Sequence, residues 1–231
     1  MYALVDCNNF FVSCERAFRP DLEGKAVVVL SNNDGCVVSR SNEAKAMGIK
    51  MGTPFFQLEK FTRNGLLVLF SSNYTLYGDL SARVMSILAE ESDHLEIYSI
   101  DEAFFTLDGL TLEELETHCR ALVARIRQWV GIPVSIGIAP TKTLAKLASH
   151  FAKKYKGYKG VCRIDDEQKR RKALGMVPVS EVWGIGRRLA PRLKAKGIVT
   201  ALDFADKSRD WIFMELHKPG LCVWEELNGI P

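Results

Sequence analysis

At 231 residues, 47% hydrophobic and 26% charged, the chain can build one large or two to three small cores and has the balance of a soluble globular protein. Six scattered cysteines with no CxxC pair and no histidine at ligand spacing argue against a disulfide framework or a zinc site, and no apolar run nears the ~18 residues that span a membrane. The net charge of +3 is distributed as −6 over residues 1–139, +12 over 140–200 and −3 over 201–231, so a basic block stands behind an acidic front. That asymmetry points to a polyanion partner and a metal site on one molecule, or to a basic face that is simply solvated.

The opening "YALVD" (2–6) reads as a short buried strand, with no basic n-region or cleavage signal before it, which makes cytoplasm the expected compartment. Residues 20–71 interrupt the pattern that begins there. They hold two strands of their own ("KAVVVL", "GLLVLF"), a Gly/Asn-rich turn ("SNNDG") and a short helix ("SNEAKAMG"), and are expected to form an inserted subdomain. Apolar residues at helical spacing predict a helix over 73–92, with Asn73 as its cap. "HLEIYSI" (94–100) and "EAFFTLD" (102–108) read as a hairpin. A helix over 111–130 follows, with acids at its start and arginines toward its end, and then a strand over 132–139. The order β-α-β-β-α-β is that of a ferredoxin-like sheet, and the chain turns helical after about residue 163.

The hairpin carries two adjacent acids, Asp101 and Glu102, between apolar runs. In a ferredoxin-like sheet the first strand neighbours this hairpin, so Asp6 can lie beside them. Three converging carboxylates repel unless cations neutralise them, and oxygen ligands are those Mg²⁺ prefers. A pair of Mg²⁺ ions ~3.5–4 Å apart is the apparatus of in-line phosphoryl transfer. Successive strand residues point to opposite faces, so both acids can ligate only if a turn or bulge at 100–102 breaks the alternation.

The stretches "LVDCNNFFVSCE" (4–15), "YSIDEAF" (98–104), "GIAPTKTLAKLAS" (137–149) and "VWGIGRRLAPRLKAKGI" (182–198) resemble, in order and spacing, the Y-family DNA polymerases. Residues 19–52 resemble the UmuC branch, the catalytic subunits of polymerase V-type lesion-bypass enzymes. The resemblance runs essentially end to end. It implies an α+β fold: a ferredoxin-like palm (1–19 and 72–163), small α/β fingers (20–71) and a helical, helix–hairpin–helix thumb (164–231). It implies template-directed addition of deoxynucleotides to a primer 3′ end, in DNA damage tolerance and SOS mutagenesis.

Carried over by position, Asp6, Asp101 and Glu102 match the family's metal-binding carboxylates, with the Cys7 backbone carbonyl as a further ligand to two Mg²⁺, for which Mn²⁺ can substitute. Phe11 falls at the steric-gate position beneath the deoxyribose, with Phe10 beside it at the nucleotide. Lys153 falls where a lysine meets the β/γ-phosphates, and Ser39 where a hydroxyl meets the triphosphate. Lys45 stands for an arginine and Asn42 for a tyrosine of other branches, which loses the bidentate fork and the phenol. The Gly184-Ile185-Gly186 turn, with Arg187, Arg188 and Arg192 beside it and Lys194 and Lys196 beyond, is expected to hold duplex through backbone phosphates without reading sequence. Trp183 reads as packing.

The partners implied are primer–template DNA and dNTP, with a UmuD-like subunit, a recombinase filament and a sliding clamp, the clamp peptide lying outside this chain. The chain ends at "ELNGIP", near where a linker to a DNA-gripping little-finger region would begin. Two other readings fit parts of the sequence. A non-catalytic DNA-binding or regulatory fragment would not need all three carboxylates, and a palm-like nucleotidyl cyclase would not need the hairpin or the basic block.

Overall fold

Two sheets organise the chain, and the computed structural model describes residues 1–92, 94–107 and 109–231. Strand β1 (Tyr2–Cys7) leads into helix α1 (Phe10–Phe18). The chain then departs to build β2 (Val27–Leu30), β3 (Val37–Arg40), the short helices α2 (Asn42–Ala46) and α3 (Glu59–Arg63), and β4 (Val68–Phe70). It returns with α4 (Tyr74–Ala89), β5 (Leu95–Ile97), β6 (Glu102–Thr106), α5 (Leu112–Val130), β7 (Val134–Ala139), α6 (Lys142–Lys154) and β8 (Val161–Arg163). Helices α7 (Glu167–Met176), α8 (Leu189–Ala195), α9 (Ala201–Ala205) and α10 (Arg209–Leu227) complete it.

The larger sheet has the order β5-β6-β1-β7-β8, with β1 antiparallel to both β6 and β7 and β8 parallel to β7. Without β8 this is the ferredoxin-like order. Strand alternation sorts its side chains. Ala3, Val5, Ala103 and Phe105 face a core shared with Val84 and Leu88 of α4 and Leu122 and Ile126 of α5. Leu4 and Phe104 face the opposite side, where Leu144, Ala148 and Phe151 of α6 cover them. Side-chain caps start two of the helices, the one at Asn73 as expected. The Asn73 side chain accepts from Leu76 N–H, and Thr111 with Glu114 closes a capping box on α5.

Helix α6 lies close on β7 because residue 137 is glycine. A Cβ there would sit 2.1 Å from the Ala145 carbonyl oxygen and 2.1 Å from the Ser149 nitrogen. The smaller sheet, β3-β2-β4, pairs β2 antiparallel with β3 and parallel with β4. Its strand β2 is buried on both faces: Val28 and Leu30 pack with Val37, Ala44 and Leu58, while Val27 and Val29 join the main core. The C-terminal helices extend the second core through Leu174, Leu193, Phe204 and Ile212. They dock at the start of α6, where Thr143 N–H donates to Glu226 Oε2 (2.7 Å) and the Thr141 hydroxyl to the Glu226 carbonyl (2.8 Å).

Some expectations change. The strand expected over 94–100 ends at Ile97, because residues 98–101 turn, and the last residue of the strand expected over 102–108, Asp108, lies outside the described residues. Strands β3 and β8 and helix α6 had no counterpart in the sequence reading. All six cysteines are free, and among the described residues no helix is long and apolar enough to cross a membrane.

Candidate active site

The carboxylates meet at the end of β1. Asp6 is the cross-strand partner of Glu102, and Cys7 N–H donates to the Asp101 carbonyl at 2.8 Å, so backbone pairing fixes all three acids at one edge. The break in alternation is a serine-centred turn. The Ser99 hydroxyl donates to Asp101 Oδ1 (2.7 Å), while its oxygen accepts from Glu102 N–H (3.0 Å) and Asp101 N–H (3.3 Å). Ser81 of α4 pins the turn by donating to the Ile100 carbonyl at 2.6 Å. Asp101 is thereby off the strand and Glu102 opens it, which frees the two side chains from strict opposition.

Each strand acid meets a lysine from α6. Lys153 Nζ lies 2.6 Å from Asp6 Oδ1, and Lys146 Nζ lies 2.8 and 2.7 Å from the two oxygens of Glu102. Burial pushes the Asp6 carboxyl above its ordinary value; Lys153 opposes that shift, and the nearby Glu102 and Asp101 add to it. The thiol of Cys7 points into the core and burial raises it well above normal, so its backbone is the part that faces the acids.

Among the described residues no group of three or more His, Cys, Asp or Glu side chains is already arranged as a metal cage. The arrangement explains why: ammonium groups occupy Asp6 and Glu102, and Asp101 is turned onto Ser99. The donor set nonetheless fits a hard divalent cation. It is all oxygen, it carries three charges, and Asp6 and Glu102 already recruit cations at bonding distance.

Around the acids the expected nucleotide contacts divide. Lys45 Nζ donates to Asn9 Oδ1 at 2.6 Å, and Asn9 Nδ2 to Asn42 Oδ1 at 3.2 Å. Asn9 itself holds a left-handed backbone (φ 49°) at the start of α1. Burial lowers the Lys45 ammonium, with Lys153 and Arg40 adding to that, so three cations share this region. The ring of Phe11 is half-buried and stacks on Tyr77 with centroids 4.4 Å apart and 13° between planes. Tyr77 is fully buried and its hydroxyl donates to Glu15, which gives Phe11 a rigid backing. Two residues expected at the nucleotide are buried. Phe10 is only 3% exposed and packs in the core, because α1 begins at that residue and turns it inward. Ser39 is buried, and its oxygen accepts from Val12 N–H at 3.4 Å, which directs it to the backbone of α1.

A cleft of about 580 Å³ joins Asp6, Glu102, Lys146 and Lys153 to Trp183 and Gly186. Gly184 has φ +90° and a Cβ there would sit 2.8 Å from Val223, so the turn requires glycine on both counts. Ile185 is buried and its N–H is bonded to the Val182 carbonyl, so it is an anchor. Among the described residues, the N–H groups of Gly186, Arg187 and Arg188 meet no backbone acceptor. Arg187, Arg188, Arg192 and Lys194 are exposed and have no carboxylate within ion-pair distance among the described residues, while Lys196 pairs with Glu215. The element before this turn is a single 3₁₀ turn (Val179–Glu181).

Sequence reasoning missed Asn9 and Lys146 as members of the site. Lys142, Lys146 and Lys153 recur at the spacing of one helix face, which was the available signal. For Asn9 the signal was weaker: the Asn8-Asn9 pair between a strand and an aromatic run marks a turn that tolerates positive φ.

The chain matches the impB/mucB/samB family over residues 5–150, and the helix–hairpin–helix motif of that family over 167–198. The chain belongs to the impB/mucB/samB family. It is 50% identical to the UmuC protein of Salmonella typhimurium over 215 residues, covering 92% of this chain and 50% of that protein. It is 34% identical over 231 residues to DNA polymerase IV 1 of Bacillus subtilis, covering 98% of this chain and 54% of that protein. Its fold matches the crystal structure of DinB from Sulfolobus solfataricus with a TM-score of 0.82 at 26% identity, covering 98% of this chain and 66% of that one. The chain thus spans about half the length of the curated relatives it matches.

Proposed function

We propose that this chain is the catalytic core of a template-directed, lesion-bypass DNA polymerase. The larger sheet with its helices (1–19 and 72–163) would be the palm, residues 20–71 the fingers and 164–231 the thumb. The observation that carries the reading is the Asp6–Glu102 cross-strand pair with Asp101 bonded to Cys7 beside it, flanked by Lys153 and Lys45. Relatives named UmuC and DNA polymerase IV support it.

Asp6, Asp101, Glu102 and the Cys7 carbonyl would hold two Mg²⁺, or Mn²⁺ in their place. Bound there, such ions lower the pKa of the attacking hydroxyl and neutralise charge on the leaving pyrophosphate. The residues of the chain do the positioning. Lys153, released from Asp6, and Lys45 receive the triphosphate through charge-assisted hydrogen bonds. Asn42 sets Lys45 through Asn9. Phe11, backed by Tyr77, lies beneath the sugar and leaves no room for a 2′-hydroxyl. The Gly186–Arg188 N–H groups and the exposed Arg187, Arg188 and Arg192 hold duplex phosphates. A UmuD-like subunit, a recombinase filament and a sliding clamp would act with the longer protein. Primer extension by this chain with Mg²⁺, on undamaged and abasic templates, tests the reading. Incorporation that disappears in Asp101→Ala supports it. DNA binding with no incorporation in any cation leaves instead a non-catalytic DNA-binding module.

A further inference from the structure

The ammonium of Lys146 is held by more than Glu102. Its Nζ lies 4.8 Å from the centroid of the Tyr98 ring and 5.5 Å from that of Trp183. The two rings meet edge to face at 5.4 Å, and Trp183 Nε1–H donates to the Tyr98 hydroxyl at 3.3 Å. Trp183 also stacks on Phe104 at 5.9 Å, and Phe104 lies two residues beyond Glu102 on β6. Tyr98 belongs to the turn that presents Asp101. Trp183 is the residue immediately before the Gly184-Ile185-Gly186 turn. One lysine therefore lies against both the Glu102 carboxylate and an aromatic ring of the segment that leads into the Gly184–Gly186 turn.

The charge balance gives this contact a consequence. A lysine on both oxygens of Glu102 competes with any divalent cation for that carboxylate. Ring faces attract an ammonium, Trp most strongly, so Tyr98 and Trp183 favour Lys146 in the position where it covers Glu102. Moving Trp183 away weakens that hold. We propose that Lys146 and Trp183 form a positioning relay, through which the seating of the Gly184–Gly186 turn sets how available Glu102 is to a divalent cation. The relay rests on the reading of Asp6, Asp101 and Glu102 as a cation site. Neither Lys146 nor Trp183 is a catalytic residue in it; each acts through Glu102.

The test is Mn²⁺ affinity of the whole chain without DNA or nucleotide, read from the electron paramagnetic resonance signal of free Mn²⁺, with a melting curve for every variant. Lys146→Met is expected to tighten Mn²⁺ binding about tenfold by removing the competing charge, and Trp183→Leu, which fills the space without a ring, about threefold. Trp183→Phe keeps a ring and is expected to stay within about twofold of the parent. Because Trp183 acts only through Lys146, the double variant Lys146→Met/Trp183→Leu should match Lys146→Met alone. The relay is overturned if Trp183→Leu leaves Mn²⁺ affinity unchanged, if Trp183→Phe shifts it as far as Trp183→Leu does, or if the two single effects add in the double variant. Mn²⁺ binding that is absent, or unmoved by Glu102→Gln, overturns the cation site itself and the relay with it.

Discussion

Asp6 and Glu102 stand directly opposite each other across β1 and β6, and two lysines two turns apart on α6 neutralise them, Lys153 on Asp6 and Lys146 on Glu102. Like charges at a cross-strand position destabilise a sheet, so the fold holds an electrostatic cost at this edge and offsets it with the two lysines. Among the described residues, Asp101 has no lysine or arginine within ion-pair distance.

On the proposed reading, Asp101→Ala therefore removes a cation ligand without leaving a lysine unpaired. Primer extension should fall by at least about a thousandfold, since metal chemistry supplies several kcal/mol at about 1.4 kcal/mol per tenfold. The melting temperature should hold or rise slightly. Near-normal extension by a folded variant would assign the chemistry elsewhere.

For Phe11, the stack on Tyr77 separates two expectations. As a gate, Phe11→Ala opens the space a 2′-hydroxyl requires, and relative kcat/KM for ribonucleotides should rise at least about tenfold, or ~1.4 kcal/mol of lost discrimination. As a purely structural ring, its loss would cost stability, up to the roughly 3–5 kcal/mol of a core Phe→Ala, with sugar preference unchanged. Single-nucleotide insertion kinetics with dNTP and rNTP, beside a melting curve, distinguish the two.

Much of this site was legible because its signals are local. Asn73 caps its helix with its own side chain, and Asp101 next to Glu102 conflicts with strand alternation in a way that demands a turn. What escaped depends on tertiary contacts. Strands β3 and β8 are four and three residues long, too short to carry a period, and are strands because β2 and β7 pair with them. Lys146 reads as part of a basic block until α6 is placed against β6. Phe10 and Phe11 are indistinguishable as letters; the start of α1 sends one into the core and leaves the other on its rim.

The exposed arginines beside Gly186 give a salt prediction. Arg187→Ala/Arg188→Ala should weaken binding to all duplex sequences about equally, and lower the slope of log K against log salt by about 2, near 0.9 per lost phosphate contact. Fluorescence anisotropy across a salt series measures this. An unchanged slope would place the duplex on another face.

Gly137 offers a test of how α6 is held over the sheet. The 2.1 Å approach to Ala145 and Ser149 leaves no room for a methyl group, and the obstructing atoms are backbone that cannot rotate away. Gly137→Ala should cost about 3 kcal/mol or more by overpacking, read from the denaturant midpoint. A cost below about 0.5 kcal/mol, the range of ordinary surface changes, would mean that α6 stands farther from β7. Because Lys146 and Lys153 ride on α6, the surviving folded fraction should also bind duplex and cations differently.

His150 faces the same cleft from α6, with Nε2 3.8 Å from Glu181 Oε2 on the 3₁₀ turn before Trp183. Burial lowers its pKa; Glu181 opposes this, while Lys154 and Lys153 lower it further. A base with a depressed folded pKa is held neutral by the fold, so its contribution is fully present above the unfolded value of about 6.5 and is lost as pH falls through the lower folded value. Thermal midpoints should therefore decline between about pH 7.5 and pH 5.5 in this chain, and the part of that decline due to His150 should vanish in His150→Gln, which keeps polarity but cannot charge. The opposite sign is the informative failure. If Glu181 dominated, His150 would be raised, and His150→Gln would be relatively less stable at pH 5.5 than at pH 7.5. Melting curves of the two proteins at both pH values, at one ionic strength, decide which neighbour controls the ring.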